Sequence, residues 1–271
     1  MTLHTRIEPA PVLLRSDTGG VAILALNRPE ARNALSEALI DALSAELDRI
    51  AEDRTVRVVV LTGRGPAFSA GHDLKQMSAR HADPDRGRAY FADLMFRSSA
   101  LMQRIVRLPQ PVIAAVEGIA TAAGCQLVGS CDLAVAGADA RFSTPGVHIG
   151  LFCSTPMVAL SRNLARKHAM EMLLLGETVS AADGYRFGLV NRVVPAGEAE
   201  TEALRMAEAI AQKSPLTLKI GKRAFYEQLE MSLSDAYDHA ARVMVENMLA
   251  QDAEEGIGAF IEKREPQWQG R

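Results

Sequence analysis

Residues Ala114 to Asp132 read Ala-Ala-Val-Glu-Gly-Ile-Ala-Thr-Ala-Ala-Gly-Cys-Gln-Leu-Val-Gly-Ser-Cys-Asp, and the rest of the chain is organised around them. A short apolar strand, Val112 to Val116, runs into a turn at Glu117-Gly118. Tiny residues follow from Ala120 to Gly124, and then an apolar helix carrying Cys125, Leu127 and Val128. Thr121 is the expected N-cap, because its hydroxyl can accept from a free backbone N–H. Tiny residues at a helix N-terminus leave amides uncovered where the helix dipole is positive. That suits an anion, or an oxygen that becomes one during a reaction. The plainer alternative is that Ala and Gly only let the helix pack closely.

An earlier stretch, Gly65-Pro-Ala-Phe-Ser-Ala-Gly-His-Asp-Leu-Lys75, favours the first reading. Together the two stretches resemble the crotonase superfamily, also called the enoyl-CoA hydratase/isomerase family. In that family a Phe-Ser-Ala-Gly-x-Asp-Leu segment and an Ala-x-Gly-Gly-Gly-x-x-Leu segment each give one backbone N–H to the thioester oxygen of an acyl-CoA. Carried over by position, the donors are the amides of His72 and Ala123. The resemblance runs from about Val21 to the C-terminus. It implies an α/β fold of the ClpP/crotonase-like β-β-α spiral type with a C-terminal α-helical region. Ala120-Thr-Ala-Ala-Gly-Cys-Gln126 and Thr144-Pro-Gly-Val-His-Ile-Gly-Leu-Phe-Cys-Ser-Thr-Pro156 resemble the branch typified by enoyl-CoA hydratase domain-containing protein 3.

The acid/base residues depart from the family pattern. Hydratases of this family use two glutamates, one three residues after the oxyanion glycine and one after the proline of a Pro-Glu-x-x-x-Gly segment. Those positions here are Gln126 and Gly146. Glutamine does not titrate in the useful range and cannot act as a general base. Two-glutamate hydration is therefore not expected, although the resemblance implies a lyase or isomerase of fatty acid metabolism. His72 also lies in a Gly-His-Asp segment similar to that of malonyl-type acyl-CoA decarboxylases of the superfamily. Its plain reading is a lining imidazole that contributes only its amide. His148, two residues past the lost glutamate, is a candidate base if the segment is extended, since strand side chains repeat every two residues. Cys153 is a candidate thiol against a packing role, and Glu117 and Asp132 read as structural. Three functions stand: an enolate-stabilising acyl-CoA enzyme without the two glutamates, a malonyl-type decarboxylase, and a non-catalytic acyl-CoA-binding or regulatory protein.

For coenzyme A, which enters as part of the thioester rather than as a tightly bound cofactor, the resemblance implies further residues. The carbonyls of Ser69 and Ala70 would meet the adenine. Arg28, Arg32 and Lys75 would lie near the phosphates, although Glu30 stands where the family often has a base. Phe260 and Lys263 would reach an adjacent subunit's site in a homotrimer or dimer of trimers.

Composition sets the outer limits. A net charge of −3 over 271 residues argues against a nucleic-acid or membrane-surface binder. No apolar run approaches the roughly 18 residues that span a bilayer. The first residues, Met-Thr-Leu-His-Thr-Arg-Ile-Glu-Pro, have no apolar core of a secretory signal and are too acidic for a transit peptide. Cys125, Cys131 and Cys153 have no metal-ligand spacing and read as reduced thiols of a cytoplasmic protein.

Along the chain, residues 1–10 read as a loose end. Strands are expected over 12–15, 21–26, 56–61, 112–116, 133–135 and 141–142. Helices are expected over 36–52 and 91–106, with a charged loop over 81–88. From Pro156 onward helices are expected over 156–163, 166–175, 180–187, 197–213, 215–230, 234–249 and 251–263, broken by an extended piece at 188–194. The division is a spiral core over 1–195 and a helical region over 196–271.

Overall fold

The computed structural model describes residues 10–271; most of the expected loose end, residues 1–9, lies outside them. The chain opens with the antiparallel pair β1 (Leu13–Thr18) and β2 (Val21–Leu26), joined at Gly19-Gly20. Helix α1 (Glu37–Glu52) starts at Ser36, whose hydroxyl accepts from the Leu39 amide. Its Leu39, Ile40, Leu43, Leu47 and Ile50 recur at helical spacing and are all buried.

Three strand pairs then follow one plan. A strand of a large sheet is succeeded at once by a short strand of a second sheet, and helix follows: β3 (Val58–Gly63) and β4 (Ala67–Ser69) with α2 (Leu74–Ala79) and α3 (Arg88–Arg107); β5 (Val112–Val116) and β6 (Ile119–Thr121) with α4 (Ala123–Ser130); β7 (Leu133–Gly137) and β8 (Arg141–Ser143) with α5 (Pro156–Asn163) and α6 (Arg166–Leu175). Strand β9 (Val179–Ser180), α7 (Ala181–Phe187) and β10 (Arg192–Val194) complete both sheets. Their orders are β1-β2-β3-β5-β7-β10 and β4-β6-β8-β9. Apart from β1–β2 and β8–β9, the pairings are parallel. This is the expected β-β-α spiral.

The inner strands of the large sheet, β2, β3, β5 and β7, are buried on both faces and are almost wholly apolar. One face carries the main core of α1, α3 and α4. The other takes Ala199, Ala203 and Ala207 of α8 (Ala199–Ala211) against Val21, Val58, Val60, Ile113 and Val135. Small alanines let α8 lie close to the β-branched surface. Glu117 fixes its start, accepting from the Gly197 and Ala199 amides, each at 3.0 Å. The chain ends in α9 (Pro215–Gln228), α10 (Leu233–Met248) and α11 (Gln251–Glu262).

A buried polar node ties α9 to the core. Lys222 donates to the carbonyls of Ile105 and Gln110 and to Asp132 Oδ2 at 2.7 Å. Asp132 also accepts from the Tyr226 hydroxyl and the Val112 amide. Every donor of Lys222 is matched, which burial of an ammonium requires. The structural reading of Glu117 and Asp132 agrees with these contacts.

Candidate functional site

The two short strands β4 and β6 place the two oxyanion-type stretches side by side. They are parallel, with Ser69 opposite Ala120. His72 lies three residues past Ser69, and Ala123 lies three past Ala120. Equal offsets from one register bring the two chain exits together. The contact is close: a Cβ added to Gly71 would stand 3.2 Å from Ala123 N and 2.9 Å from Thr121 O. Gly71 has a φ of +84°, so glycine is required there on both counts. The Cβ of a side chain at 124 would likewise collide with the Ser69 carbonyl. Among the described residues, neither the His72 nor the Ala123 amide finds an acceptor.

The start of α4 differs from expectation in one respect. Thr121 ends β6 and its Oγ1 accepts from Ser143 Oγ at 2.9 Å, so it is not the N-cap. Ala122 holds that position, with φ 51° and ψ −118° and no side-chain cap. This is backbone that glycine adopts readily and alanine does not. The strain turns the chain from strand to helix and leaves the Ala123 amide uncovered.

Asn33, read from sequence only as part of a polar connection, holds the other donor segment. It is fully buried with φ 53°. Its Nδ2 donates to the Ala67 and Arg64 carbonyls at 2.7 and 2.9 Å, and its Oδ1 accepts from the Arg28 amide. Ser69 Oγ donates to the Asn33 carbonyl, and the Ala70 amide to the Arg32 carbonyl. An asparagine before a helix start, tolerant of left-handed backbone, was the available signal.

The His72 ring is buried at both nitrogens, and neither has a hydrogen-bond partner. Burial pushes its pKa below the usual histidine range and keeps it neutral. The Leu35 carbonyl pulls the other way without completing a hydrogen bond to the ring. Gln126, one turn beyond Ala123 on α4, is 4% exposed with Oε1 unpartnered.

Two acid/base expectations are settled by local backbone. His148 does not lie on an extended segment: Pro145–Ile149 is a 3-10 helix. With three residues per turn, positions two apart face different ways. His148 is exposed, and its Nε2 lies over Gly176, 2.9 Å from where a Cβ there would sit. It does not share a face with residue 146. Gly146 is itself enclosed. A Cβ there would stand 2.6 Å from the Leu151 carbonyl oxygen and 2.9 Å from Cys153 Sγ. Burial raises the Cys153 thiol pKa, with the Gly146 amide opposing, and burial pushes Cys125 up to about 12. Neither is an activated thiolate.

The residues expected around coenzyme A are less uniform. Arg32 and Lys75 are exposed. Arg28 is engaged internally, donating to the Ala34 carbonyl at 2.6 Å and to Asp73 at 3.1 Å. Asp73 also caps α2 through the Lys75 and Gln76 amides. Ser69 is fully buried and its carbonyl lies against Gly124, so it faces the helix rather than an adenine; Ala70 is half-buried. Phe260 is 84% exposed, and Lys263 caps α11 at φ 57°.

A family model described as enoyl-CoA hydratase/isomerase matches residues 16–271. The chain belongs to that family. It is 44% identical over 264 residues to Xenopus laevis "Enoyl-CoA hydratase domain-containing protein 3, mitochondrial", covering 97% of this chain and 88% of that one. The Homo sapiens protein of the same name is 43% identical over 261 residues, covering 96% and 84%. Its crystal structure superposes with a TM-score of 0.90 at 42% identity, covering 95% of this chain and all of that one. An enoyl-CoA hydratase structure from Mycobacterium smegmatis superposes with a TM-score of 0.91 at 51% identity, covering 95% and 99%. The fold is thus that of the crotonase superfamily, and the chain falls in the branch its sequence resembles. Among the described residues, no helix is long and apolar enough to cross a membrane.

Proposed function

We propose that this chain binds an acyl-CoA thioester and holds its carbonyl oxygen with the His72 and Ala123 amides, without two-glutamate hydration. What supports this reading is the parallel pairing of Ser69 with Ala120, from which both acceptor-free amides lie three residues on, and the close approach of Gly71 to the Ala123 amide. A preorganised donor of this kind is worth on the order of 10²–10³ in rate when charge develops on the oxygen. Proton transfer is the weak part. Gln126 cannot titrate, Gly146 has no room for a side chain, and His72 is a neutral ring. A non-catalytic acyl-CoA-binding role is the second reading, and the same missing groups favour it. A malonyl-type decarboxylase is less well supported, because it rests on the likeness of the Gly71-His72-Asp73 segment alone.

Coenzyme A belongs to this proposal as part of the thioester, with exposed Arg32 and Lys75 on its phosphate side. A homotrimer or dimer of trimers belongs to it as well. Leu233, Leu249, Phe260 and Ile261 of the C-terminal helices are each more than 70% exposed, which a covering partner would relieve. So does a cytoplasmic setting, favoured by three free thiols; the word mitochondrial in the relatives' names describes those proteins.

The test is the vibrational spectrum of butyryl-CoA, ¹³C-labelled at the thioester carbonyl, bound to the purified protein. A carbonyl stretch shifted to lower frequency supports the two-amide cradle. Binding with an unshifted stretch overturns it.

A further inference from the structure

We infer that Arg28 and Asp73 are positioning residues for the His72 amide: their ion pair clamps residues 32–35 onto residues 70–73 and holds that donor in place, and Arg28 is not a phosphate ligand. This rests on the acyl-thioester reading above.

The chain before α1 runs along one edge of the donor stretch and fixes it. Leu35 and His72 stand opposite each other in an isolated parallel bridge. The Ala70 amide donates to the Arg32 carbonyl at 2.9 Å, the Leu35 amide to the Gly71 carbonyl at 2.7 Å, and the Asp73 amide to the Leu35 carbonyl at 3.3 Å. The Gly71 amide turns to Ser69 Oγ at 3.3 Å. Among the described residues, His72 is thus the one member of 70–73 whose amide has no acceptor, and its neighbours on both sides are held.

A single bridge is a weak hold, and the holding strand is itself irregular. Arg32 and Asn33 both have left-handed backbone, with φ 50° and 53°. Arg28 supplies the tie between the two chains. Its guanidinium donates to the Ala34 carbonyl at 2.6 Å and to Asp73 Oδ2 at 3.1 Å, one acceptor on each side of the bridge. The two side chains are only 18% and 14% exposed, so water competes little for these bonds. A planar guanidinium makes two aimed bonds at once, which an ammonium, a single point charge, does not reproduce.

Asp73 divides its oxygens. Oδ2 takes Arg28, while Oδ1 accepts from the Lys75 and Gln76 amides at the start of α2. Because Asp73 directly follows His72, this anchored residue fixes the chain immediately after the donor. An oxyanion donor acts only when it is aimed at the place the oxygen will occupy. The same contacts answer the Arg28 charge inside the protein, which favours a positioning role over a phosphate contact.

The experiment compares the unaltered full chain with Arg28→Lys, which keeps the charge, and Asp73→Asn, which keeps a side-chain cap on α2. Butyryl-CoA, ¹³C-labelled at the thioester carbonyl, is read by vibrational spectroscopy when bound. Free coenzyme A is titrated by calorimetry. The unaltered protein should shift the carbonyl stretch to lower frequency. Each variant should lose at least about half of that shift, while free coenzyme A binds within about twofold of the unaltered protein. A pair that served stability alone would lower the unfolding midpoint and leave the shift of the bound carbonyl whole. A folded variant that keeps more than about half of the shift therefore overturns the inference and leaves the thioester reading intact. Free coenzyme A binding weakened beyond that range in Arg28→Lys makes Arg28 a phosphate ligand and overturns it as well. An unshifted stretch in the unaltered protein overturns the two-amide cradle and the inference with it. Either variant decides the matter if the other does not fold.

Discussion

The sulfur of Cys153 occupies the space into which a side chain at Gly146 would grow: a Cβ built on Gly146 lies 2.9 Å from it. The Leu151 carbonyl closes the same space at 2.6 Å, and the Leu151 amide donates back to the Gly146 carbonyl. Position 146, where the resemblance implies the second hydratase glutamate, therefore has no room for a side chain. The loop has folded over its place.

It follows that carboxyl groups cannot be restored here one substitution at a time. Gly146→Ala should destabilise the protein by about 1–3 kcal/mol, the usual range for overpacking, measured by chemical denaturation. Adding Gly146→Glu to Gln126→Glu should bring no hydration of crotonyl-CoA beyond that of Gln126→Glu alone. A stable Gly146→Glu protein with a large gain in hydration would show that the loop opens readily.

The strain at Ala122 has the opposite sign. A non-glycine residue in such backbone costs about 1–3 kcal/mol, while glycine loses roughly 0.5–1 kcal/mol in chain entropy. Ala122→Gly should therefore stabilise the fold by about 1 kcal/mol and leave thioester binding unchanged. Equilibrium unfolding and a binding titration test both halves.

His72 should mark the acid side of the stability profile. Its folded pKa lies below the unfolded value of about 6.5. Between the two values the unfolded chain binds the extra proton, so stability falls as pH falls below about 6.5. The slope from this group can approach about 1.4 kcal/mol per pH unit. His72→Phe should flatten that part of the profile. An unchanged profile would mean that the ring is protonated without difficulty in the folded protein.

Most of the fold was legible because its elements are long and strongly patterned. The helices over 156–163 and 166–175 coincide with the expected spans, and the large-sheet strands read as apolar, β-branched runs. Strands β4, β6 and β9 were not legible. They are two or three residues long, too short for any alternation to register, and tertiary pairing alone holds them extended. Helix α2 is only six residues and escaped for the same reason. The candidate site inherits this split. The donor stretches were visible as motifs, but the pairing of Ser69 with Ala120 that aligns them was not. His148 was misplaced because Pro145–Ile149 winds into a 3-10 helix, which no periodicity over so few residues announces.

The Lys222–Asp132 node should dominate the docking of the C-terminal helices. Lys222→Met removes the ammonium and leaves the Asp132 carboxylate, only partly exposed, with Tyr226 and the Val112 amide as partners. Breaking a buried pair from one side costs about 3–5 kcal/mol. Hydrogen exchange across α9 should rise in this variant before exchange in the sheet does. Wild-type protection of α9 would show that its apolar contacts hold it without the node.

The most direct test of the account is the steady-state hydration of crotonyl-CoA by the unaltered protein. General acid–base groups contribute about 10²–10⁴ each, and neither Gln126 nor Gly146, at the positions the resemblance implies for them, can titrate. The account predicts turnover at least about a thousandfold below the roughly 1–10³ s⁻¹ of ordinary enzymes, together with measurable binding of the thioester. Hydration at an ordinary enzymatic rate would contradict it, because a proton would then be moving through a group other than Gln126 or residue 146.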